Sequence, residues 1–254
     1  MSEIIKLTMP SLALTMNDTR ILFKKTMNYQ RITPNSLRIL VIAPVFDKPT
    51  ITSGIGAARL TEKIQNDPRQ HSVIFLTSIL ANQWILQIVR RSFWRPDLIV
   101  YMGHGTKNAF ICFYGLKLIT NKTAYLMGHG PIVYAMACLA AQQLGPAIVK
   151  AGSRGFLGNE RIMYAAFPNI EHTYMEDFAD AWINQAYDLI NQKTLIDTYQ
   201  QAQERWIKMG EQYMTMKLSK GKEMARRCNY NARYHRLIAP NVLAKVLMPG
   251  DDKK

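Results

Sequence analysis

Residues 96–105, PDLIVYMGHG, and residues 131–138, PIVYAMAC, decide the fold that this sequence predicts. Each stretch begins at a proline, continues through a short run of apolar residues and ends next to a chemically reactive side chain. Short apolar runs of this kind are typical of strands that are buried on both faces of a sheet. We therefore predict two buried strands, followed at their carboxyl ends by His104 and Cys138.

The same pattern recurs on either side of these two stretches, with helical spacing of apolar residues between the runs. Alternating strands and helices are typical of a parallel sheet with helices on both faces. The predicted fold class is α/β, a three-layer sandwich with a mainly parallel sheet flanked by helices. The predicted strands are 37–44, 71–77, 97–102, 131–137 and 154–158, and the predicted intervening helices are 55–65, 79–91 and 142–150.

Beyond residue 169 the pattern becomes helical and remains so. Phe178, Trp182 and Leu189 share one helical face, and Thr194 is a plausible N-cap for a second helix. No linker rich in Pro, Gly or Ser separates the halves. We predict an N-terminal arm (1–36), one α/β domain including its C-terminal helices (37–216) and a basic C-terminal extension (217–254).

The composition favours a soluble, cytoplasmic protein with an anionic partner. Three cysteines give an odd count without framework spacing, which argues against a disulfide scaffold. No apolar run reaches the length of about 20 residues that a membrane span needs, and we expect no membrane partner. The 32 Lys and Arg residues outnumber the 18 Asp and Glu residues, a net charge of +14. Such an excess favours contact with nucleic acid or an acidic protein. Part of it falls in the C-terminal extension, where it also fits a solvated basic face, because no base-reading motif accompanies it.

The two strand ends predict a site for acyl transfer. Neighbouring strands lie about 5 Å apart, so an imidazole at His104 and a thiol at Cys138 can face one crevice. A histidine beside a cysteine can take the thiol proton and then protonate a leaving amine. The glycines around His104 let the backbone approach the substrate, and the N–H groups of Gly105 and Cys138 are candidate donors to an oxyanion.

Cofactor and metal sites are not indicated. Gly54-x-Gly56 is followed by Arg59 where a dinucleotide fingerprint needs its third glycine. The spacing of the Cys and His residues does not fit a zinc site. We expect chemistry that needs neither a cofactor nor a metal.

The ordered pattern of strand, His-Gly, strand and Ala-Cys resembles the caspase-like cysteine peptidases of clan CD, especially the gingipain-like and CHAT branch. The residues that carry the resemblance are His104-Gly105, Ala137-Cys138 and the segment AGSRGFLG at 151–158. The resemblance covers roughly residues 37–207. It implies a cysteine endopeptidase that acts on a protein or peptide substrate.

The resemblance also suggests which residues surround the substrate. The residue two before the cysteine helps to form the pocket for the side chain that precedes the cut, and here it is Met136. Asp47, Asn159 and Glu160 could add polarity to that pocket. His129, in the second Gly-His-Gly, is expected in a turn at the opposite edge of the sheet.

A second hypothesis accepts the same fold without the activity. The chain would then be a catalytically silent caspase-like scaffold that binds nucleic acid or a larger assembly through its basic surface.

Overall fold

The structure is a computed structural model, and it describes residues 36–92, 94–164, 172–191, 194–216 and 220–240. All but the last residue of the predicted N-terminal arm, and residues 241–254 of the predicted extension, lie outside the described residues. The strands are β1 (Arg38–Ala43), β2 (Ser72–Thr77), β3 (Leu98–Met102), β4 (Gly105–Thr106), β5 (Ala109–Ile111), β6 (Lys117–Thr120), β7 (Ile132–Met136), β8 (Gly155–Asn159) and β9 (His235–Ile238). The helices are α1 (Lys48–Gln65), α2 (Gln83–Arg91), α3 (Leu144–Lys150), α4 (His172–Asn191), α5 (Leu195–Thr215) and α6 (Gly221–Tyr234).

The central sheet has six strands in the order β2-β1-β3-β7-β8-β9. The first five strands are parallel, and β9 runs antiparallel to β8. The predicted α/β class with a mainly parallel sheet flanked by helices is therefore confirmed, and so are the five predicted strands.

Two hydrophobic cores lie on the two faces of this sheet. Alternate residues of each strand enter opposite cores, as the period of two in a strand requires. One core contains the buried faces of α1, α4, α5 and α6 together with strand residues such as Val41 and Val100. The other contains α2 and α3 with strand residues such as Leu40 and Ile99. Both faces of the strands are buried, which explains their continuous apolar runs.

Two helix starts follow from local sequence. Asp47 is the N-cap of α1, where it forms a capping box with Thr50, and a proline occupies the first turn. Thr194 caps α5 by accepting a hydrogen bond from the Asp197 N–H, as the sequence predicts.

The structure adds elements that the sequence pattern did not reveal. A small antiparallel sheet, β4-β5-β6, is inserted directly after His104. Residues 220–240, which we assigned to the basic extension, form α6 and the edge strand β9, so this part of the extension is built into the domain. Within the described residues, every helix is too short or too polar to cross a bilayer.

Candidate active site

The candidate site lies at the carboxyl ends of β3 and β7. These strands are neighbours, and their last residues, Met102 and Met136, are paired in register. The Gly103 N–H donates to the Met136 carbonyl at 3.1 Å, which carries the pairing one residue further. His104 and Cys138 therefore leave the sheet side by side, at the edge where ligands of parallel α/β sheets collect.

Close packing at this edge explains the two glycines around His104. A Cβ on Gly105 would lie 2.6 Å from the Cys138 carbonyl oxygen and 2.8 Å from the Ala137 Cβ. A Cβ on Gly103 would lie 2.9 Å from the hydroxyl of Tyr101. The backbone on one side of His104 thus packs directly on the Cys138 peptide, and on the other side it leaves room for a buried tyrosine.

The imidazole of His104 has an acidic partner. Its Nε2 lies 2.7 Å from Oδ2 of Asp47. Asp47 stands four residues after β1, and β1 is the other neighbour of β3. The Phe46 ring lies against the imidazole, with 5.6 Å between ring centroids. Three consecutive strands of the sheet thus deliver a carboxylate, an imidazole and a thiol to one edge.

The carboxylate of Asp47 uses its two oxygens for two separate roles. Oδ1 accepts from the N–H of Thr50 at 3.0 Å and from the Thr50 hydroxyl at 2.7 Å, while Oδ2 contacts His104. Burial opposes ionisation of Asp47, but the hydrogen bonds from Thr50 and His104 outweigh it and hold the pKa of the carboxyl below its usual value. Asp47 is therefore a carboxylate at neutral pH, fixed at the start of α1 and aimed at the ring.

Tyr101 anchors the main chain of His104 through a hydrogen bond. Its fully buried hydroxyl lies 2.7 Å from the carbonyl oxygens of both His104 and Ile111, and it accepts from the Ile111 N–H at 3.2 Å. This oxygen ties the turn after β3 to β5 of the inserted sheet. The position of His104 is thus set from both the main chain and the ring.

Cys138 lies in a tight turn directly after β7. Leu139 has a φ of +59°, an unusual conformation for a residue with a side chain, and its N–H donates to the Arg161 carbonyl at 3.0 Å. The Sγ of Cys138 accepts a hydrogen bond from the Met163 N–H at 3.3 Å. The segment after β8 thus holds both the turn and the sulfur.

The thiol of Cys138 is half-buried and protonated at rest. Burial raises its pKa, and the hydrogen bond from the Met163 N–H only partly offsets this effect. The Cys138 sulfur accepts its hydrogen bond from Met163, and the His104 ring is hydrogen-bonded to Asp47. Among the described residues, no direct hydrogen bond joins the Cys138 and His104 side chains. The resting thiol is therefore neutral, and its hydrogen bond is to the backbone of the segment after β8.

The other two thiols are in different surroundings. Cys112 and Cys228 are free and buried in separate cores, and burial raises the pKa of both, that of Cys228 to about 12. Cys138 is thus the only partly accessible thiol among the described residues.

Three of the residues expected around the substrate are engaged elsewhere. Met136 is 3% exposed and belongs to the core shared with α1, so it does not line an open pocket. Asn159 is buried, and its side-chain N–H2 donates to the Met163 sulfur. Glu160 forms an ion pair with Arg236 at 2.6 Å. The fourth, Asp47, contacts His104.

Sequence analysis missed three contributors to the site: the pairing of Asp47 with His104, the Tyr101 anchor and the Met163 N–H. The sequence did contain a signal for the pairing of Asp47 with His104. The stretch Asp47-Lys-Pro-Thr50 is a helix-start pattern directly after a strand, which places the aspartate at the same edge as His104.

The second histidine between glycines lies away from this site. His129 precedes β7 and has a φ of +61°, with its N–H donating to the Ala151 carbonyl. It belongs to a turn at the amino end of the strands, as expected. Among the described residues, no group of three metal-binding side chains is close enough to hold an ion.

Comparison with known proteins adds little to this geometry. No protein-family profile and no curated protein sequence matches the chain. A solved structure, described as an X-ray structure of an inactive zymogen C11 protease from Parabacteroides distasonis, is similar over 86% of this chain and 94% of that one. The sequence identity is 10% and the TM-score is 0.37. The fold and the site of this chain are therefore defined by its own contacts.

Proposed function

We propose that this chain is a cysteine endopeptidase in which Cys138 is the nucleophile, His104 the general base and acid, and Asp47 the residue that orients His104. One observation carries the proposal: the Asp47–His104 pair stands at the strand edge where Gly105 packs against the backbone of Cys138. The resemblance of the sequence to caspase-like peptidases, gingipain-like and CHAT branch, agrees with this function.

The proposed reaction begins with a proton transfer. His104 Nε2 faces Asp47, so the ring carries its proton there and offers the lone pair of Nδ1 to the thiol. The sulfur of Cys138 attacks the carbonyl carbon of the peptide bond as its proton moves to Nδ1. The backbone N–H groups of Gly105 and Cys138 are the proposed donors to the oxyanion.

The second half of the reaction returns the proton. The imidazolium, stabilised by the Asp47 carboxylate, protonates the amine as the C–N bond breaks and leaves an acyl thioester on Cys138. Water, deprotonated by His104, then attacks the thioester and releases the acid product together with the thiol. These steps need no cofactor.

A peptidyl acyloxymethyl ketone tests the nucleophile. The full-length protein is incubated with the reagent, and the adduct is mapped by peptide mass spectrometry. We expect labelling at Cys138 that is lost in Cys138→Ala and falls steeply in His104→Ala, while Cys112 and Cys228 stay unlabelled. Slow and equal labelling of all three thiols, unaffected by His104→Ala, would refute the proposal.

A second candidate function is the silent scaffold that binds nucleic acid. The net charge of +14 favours it, but several basic residues of α6 and β9 are already engaged. Arg227 pairs with Glu223, Arg236 pairs with Glu160 and Arg233 lies over the Tyr234 ring. Lys217 and Lys245 lie outside the described residues. Binding to RNA that weakens steeply with salt, together with no ketone labelling at Cys138, would favour the scaffold.

A further inference from the structure

At the amino end of the parallel strands, opposite the candidate active site, the structure contains a pocket of about 340 Å³. Its size falls in the range of small-molecule sites. Its walls come from α2, the segment that leads into β3, and the Gly128-His129 turn before β7. The lining residues are Leu40, Leu86, Arg90, Arg91, Arg95, Pro96, Ile99, Leu126, Gly128, His129 and Pro131.

The lining divides into an apolar floor and a cationic rim. The floor is formed by Leu40, Leu86, Ile99 and Leu126, all buried in the core on this face of the sheet. Three arginines supply the rim: Arg91 and Arg95 are exposed, whereas Arg90 is half-buried. No carboxylate is among the lining residues, so the pocket presents a concentrated positive charge. The lining side chains that remain open to solvent are those of Arg90, Arg91, Arg95, Pro96 and His129.

The three guanidinium groups have no carboxylate partner among the residues that the structure describes. Arg90 lies over the Tyr125 ring, with 5.8 Å to its centroid. Burial, and to a smaller extent the charge of nearby Arg95, lower the pKa of Arg90. Asp97, the acidic residue next to this wall, is engaged by the guanidinium and the N–H of Arg38. Among the described residues, the charge of the rim is therefore not neutralised by a carboxylate.

The turn on the opposite wall brings a further cation close. Gly128 packs against Ala151 so tightly that a Cβ would lie 2.2 Å from the Ala151 carbonyl oxygen. This contact holds His129 at the pocket wall. Arg154 donates through Nε to the Gly130 carbonyl, which places a fourth guanidinium next to the same turn. Arg154 is not among the lining residues, but its charge adds to that of the three rim arginines from beyond the turn.

We propose that this pocket binds a small organic polyphosphate, whose phosphates bond to the arginines and whose organic part packs against Pro96 and the ring of His129. Guanidinium groups suit phosphate because their paired N–H donors match its oxygens. The open faces of Pro96 and the His129 ring favour a ligand with a nonpolar or aromatic part over bare phosphate. This inference is independent of the proposed peptidase activity, because the pocket and Cys138 lie at opposite ends of the strands.

Titration calorimetry with ATP tests the proposal on the full-length protein at about 0.15 M salt, where screening suppresses contacts between exposed charges. Inorganic triphosphate and adenosine are the companion probes. We expect saturable binding of one ATP per chain, weaker binding of triphosphate and none of adenosine. Thermal unfolding should move upwards with ATP concentration, because a ligand that binds only the folded state stabilises it.

Paired variants separate the pocket from general charge. Arg91→Gln with Arg95→Gln should weaken ATP binding by about tenfold or more, since both substitutions remove charge-assisted hydrogen bonds to the phosphates. Lys208→Gln with Lys222→Gln, which removes the same charge from exposed positions on α5 and α6, should keep the affinity within about twofold. Circular dichroism checks that both variants fold.

Three results would overturn the proposal. They are the absence of saturable binding of ATP and triphosphate to the wild-type protein, an equal loss of affinity in the two double variants, and binding of an RNA oligonucleotide without binding of either small probe.

Discussion

At the scale of single residues, Asp47 carries the clearest structural argument. One carboxylate caps a helix with one oxygen and contacts His104 with the other. The first role fixes the second, because a side chain bonded to its own helix has little freedom to swing away. In the proposed reaction, this pairing selects the histidine tautomer and stabilises the imidazolium that forms.

The Asp47→Asn variant separates these two roles. Asn caps a helix as well as Asp does, so the free energy of unfolding should change by less than about 0.5 kcal/mol. The neutral amide no longer stabilises a charged ring, so the rate of ketone labelling at Cys138 should fall by at least about tenfold. The measurements are urea denaturation and labelling kinetics.

The Asp47→Ala variant completes that comparison. The rate of ketone labelling at Cys138 should fall as it does in Asp47→Asn. The free energy of unfolding should also fall by about 1 kcal/mol, because the helix cap is lost too. Wild-type labelling kinetics in Asp47→Asn would show that the pair with His104 has no role in the chemistry.

Gly105 offers a second test at this scale. In Gly105→Ala, the added methyl group would overlap the Cys138 backbone, so we expect a loss of about 1–3 kcal/mol in unfolding free energy and slower labelling of Cys138. Gly56→Ala is the matched control, because its Cβ would meet only the Met102 sulfur, at 4.0 Å, inside helix α1. That substitution should instead stabilise by about 0.5–1 kcal/mol. Equal effects at the two positions would contradict the close packing at Gly105.

At the scale of elements, the antiparallel strand β9 connects the C-terminal helices to the sheet. Its first residue, His235, is buried, stacks on Tyr199 and bonds through Nε2 to the side chain of Gln185. Burial, with a contribution from the charge of Arg236, lowers the pKa of His235 to about 3. The folded protein therefore keeps this ring neutral well below pH 6.

Acid should weaken the fold through this histidine. An unfolded histidine titrates near pH 6.5, so between pH 6.5 and about 3 the unfolded state binds a proton that the folded state does not. The contribution of the neutral His235 ring to the free energy of unfolding is complete above pH 6.5. It decreases as the pH falls, by about a few kcal/mol between pH 6.5 and about 3. Urea denaturation between pH 7 and 4.5 measures this slope.

The variant His235→Gln should flatten the slope but not abolish it. Buried His71 also has a lowered pKa and contributes in the same direction. A variant with the wild-type slope would show that His235 is not the titrating group.

The elements also show where sequence prediction succeeded and why it failed. The five parallel strands were predictable because burial on both faces makes each a continuous apolar run. In the predicted helix 79–91, the spacing of Leu80, Trp84 and Ile88 fits one apolar helical face. In the structure Trp84 and Ile88 are exposed, whereas Ile85 and Val89 are buried. The helix is apolar on more than one side, so its spacing alone could not select the buried face.

The candidate site was also only partly predictable from the sequence. His104 and Cys138 were found because strand ends can be read from apolar runs. The strands β4, β5 and β9 have two to four residues each, too few for an alternating pattern to be recognised. Met136 was expected in the substrate pocket because of the family resemblance. Its burial depends on which face of β7 packs against α1, and the sequence of one strand does not reveal that choice.

At the scale of the whole molecule, the sheet separates two hydrophobic cores, and the opposite ends of its strands carry two different sites. The candidate active site lies at the carboxyl ends of the strands and the arginine-rimmed pocket at their amino ends. The core that contains α1 is completed by residues of α6, namely Met224, Ala225, Cys228 and Ala232. The C-terminal part is thus needed to close the core behind the site.

A chain that ends at residue 216 should therefore fail to fold cooperatively. It would lack α6 and β9, leave the edge of β8 unpaired and expose one side of the core. A chain that ends at residue 240 keeps every described element and serves as the control. Circular dichroism and urea denaturation compare the two, and a cooperative transition in the shorter chain would contradict this account.

The late position of β9 also has a consequence for synthesis. Strand β8 borders the segment that holds the sulfur of Cys138, yet its antiparallel neighbour β9 is translated only after the three helices α4, α5 and α6. Until β9 has left the ribosome, a nascent chain can assemble the parallel strands but cannot pair the free edge of β8. The surroundings of the Cys138 sulfur are therefore completed well after the cysteine itself has been translated.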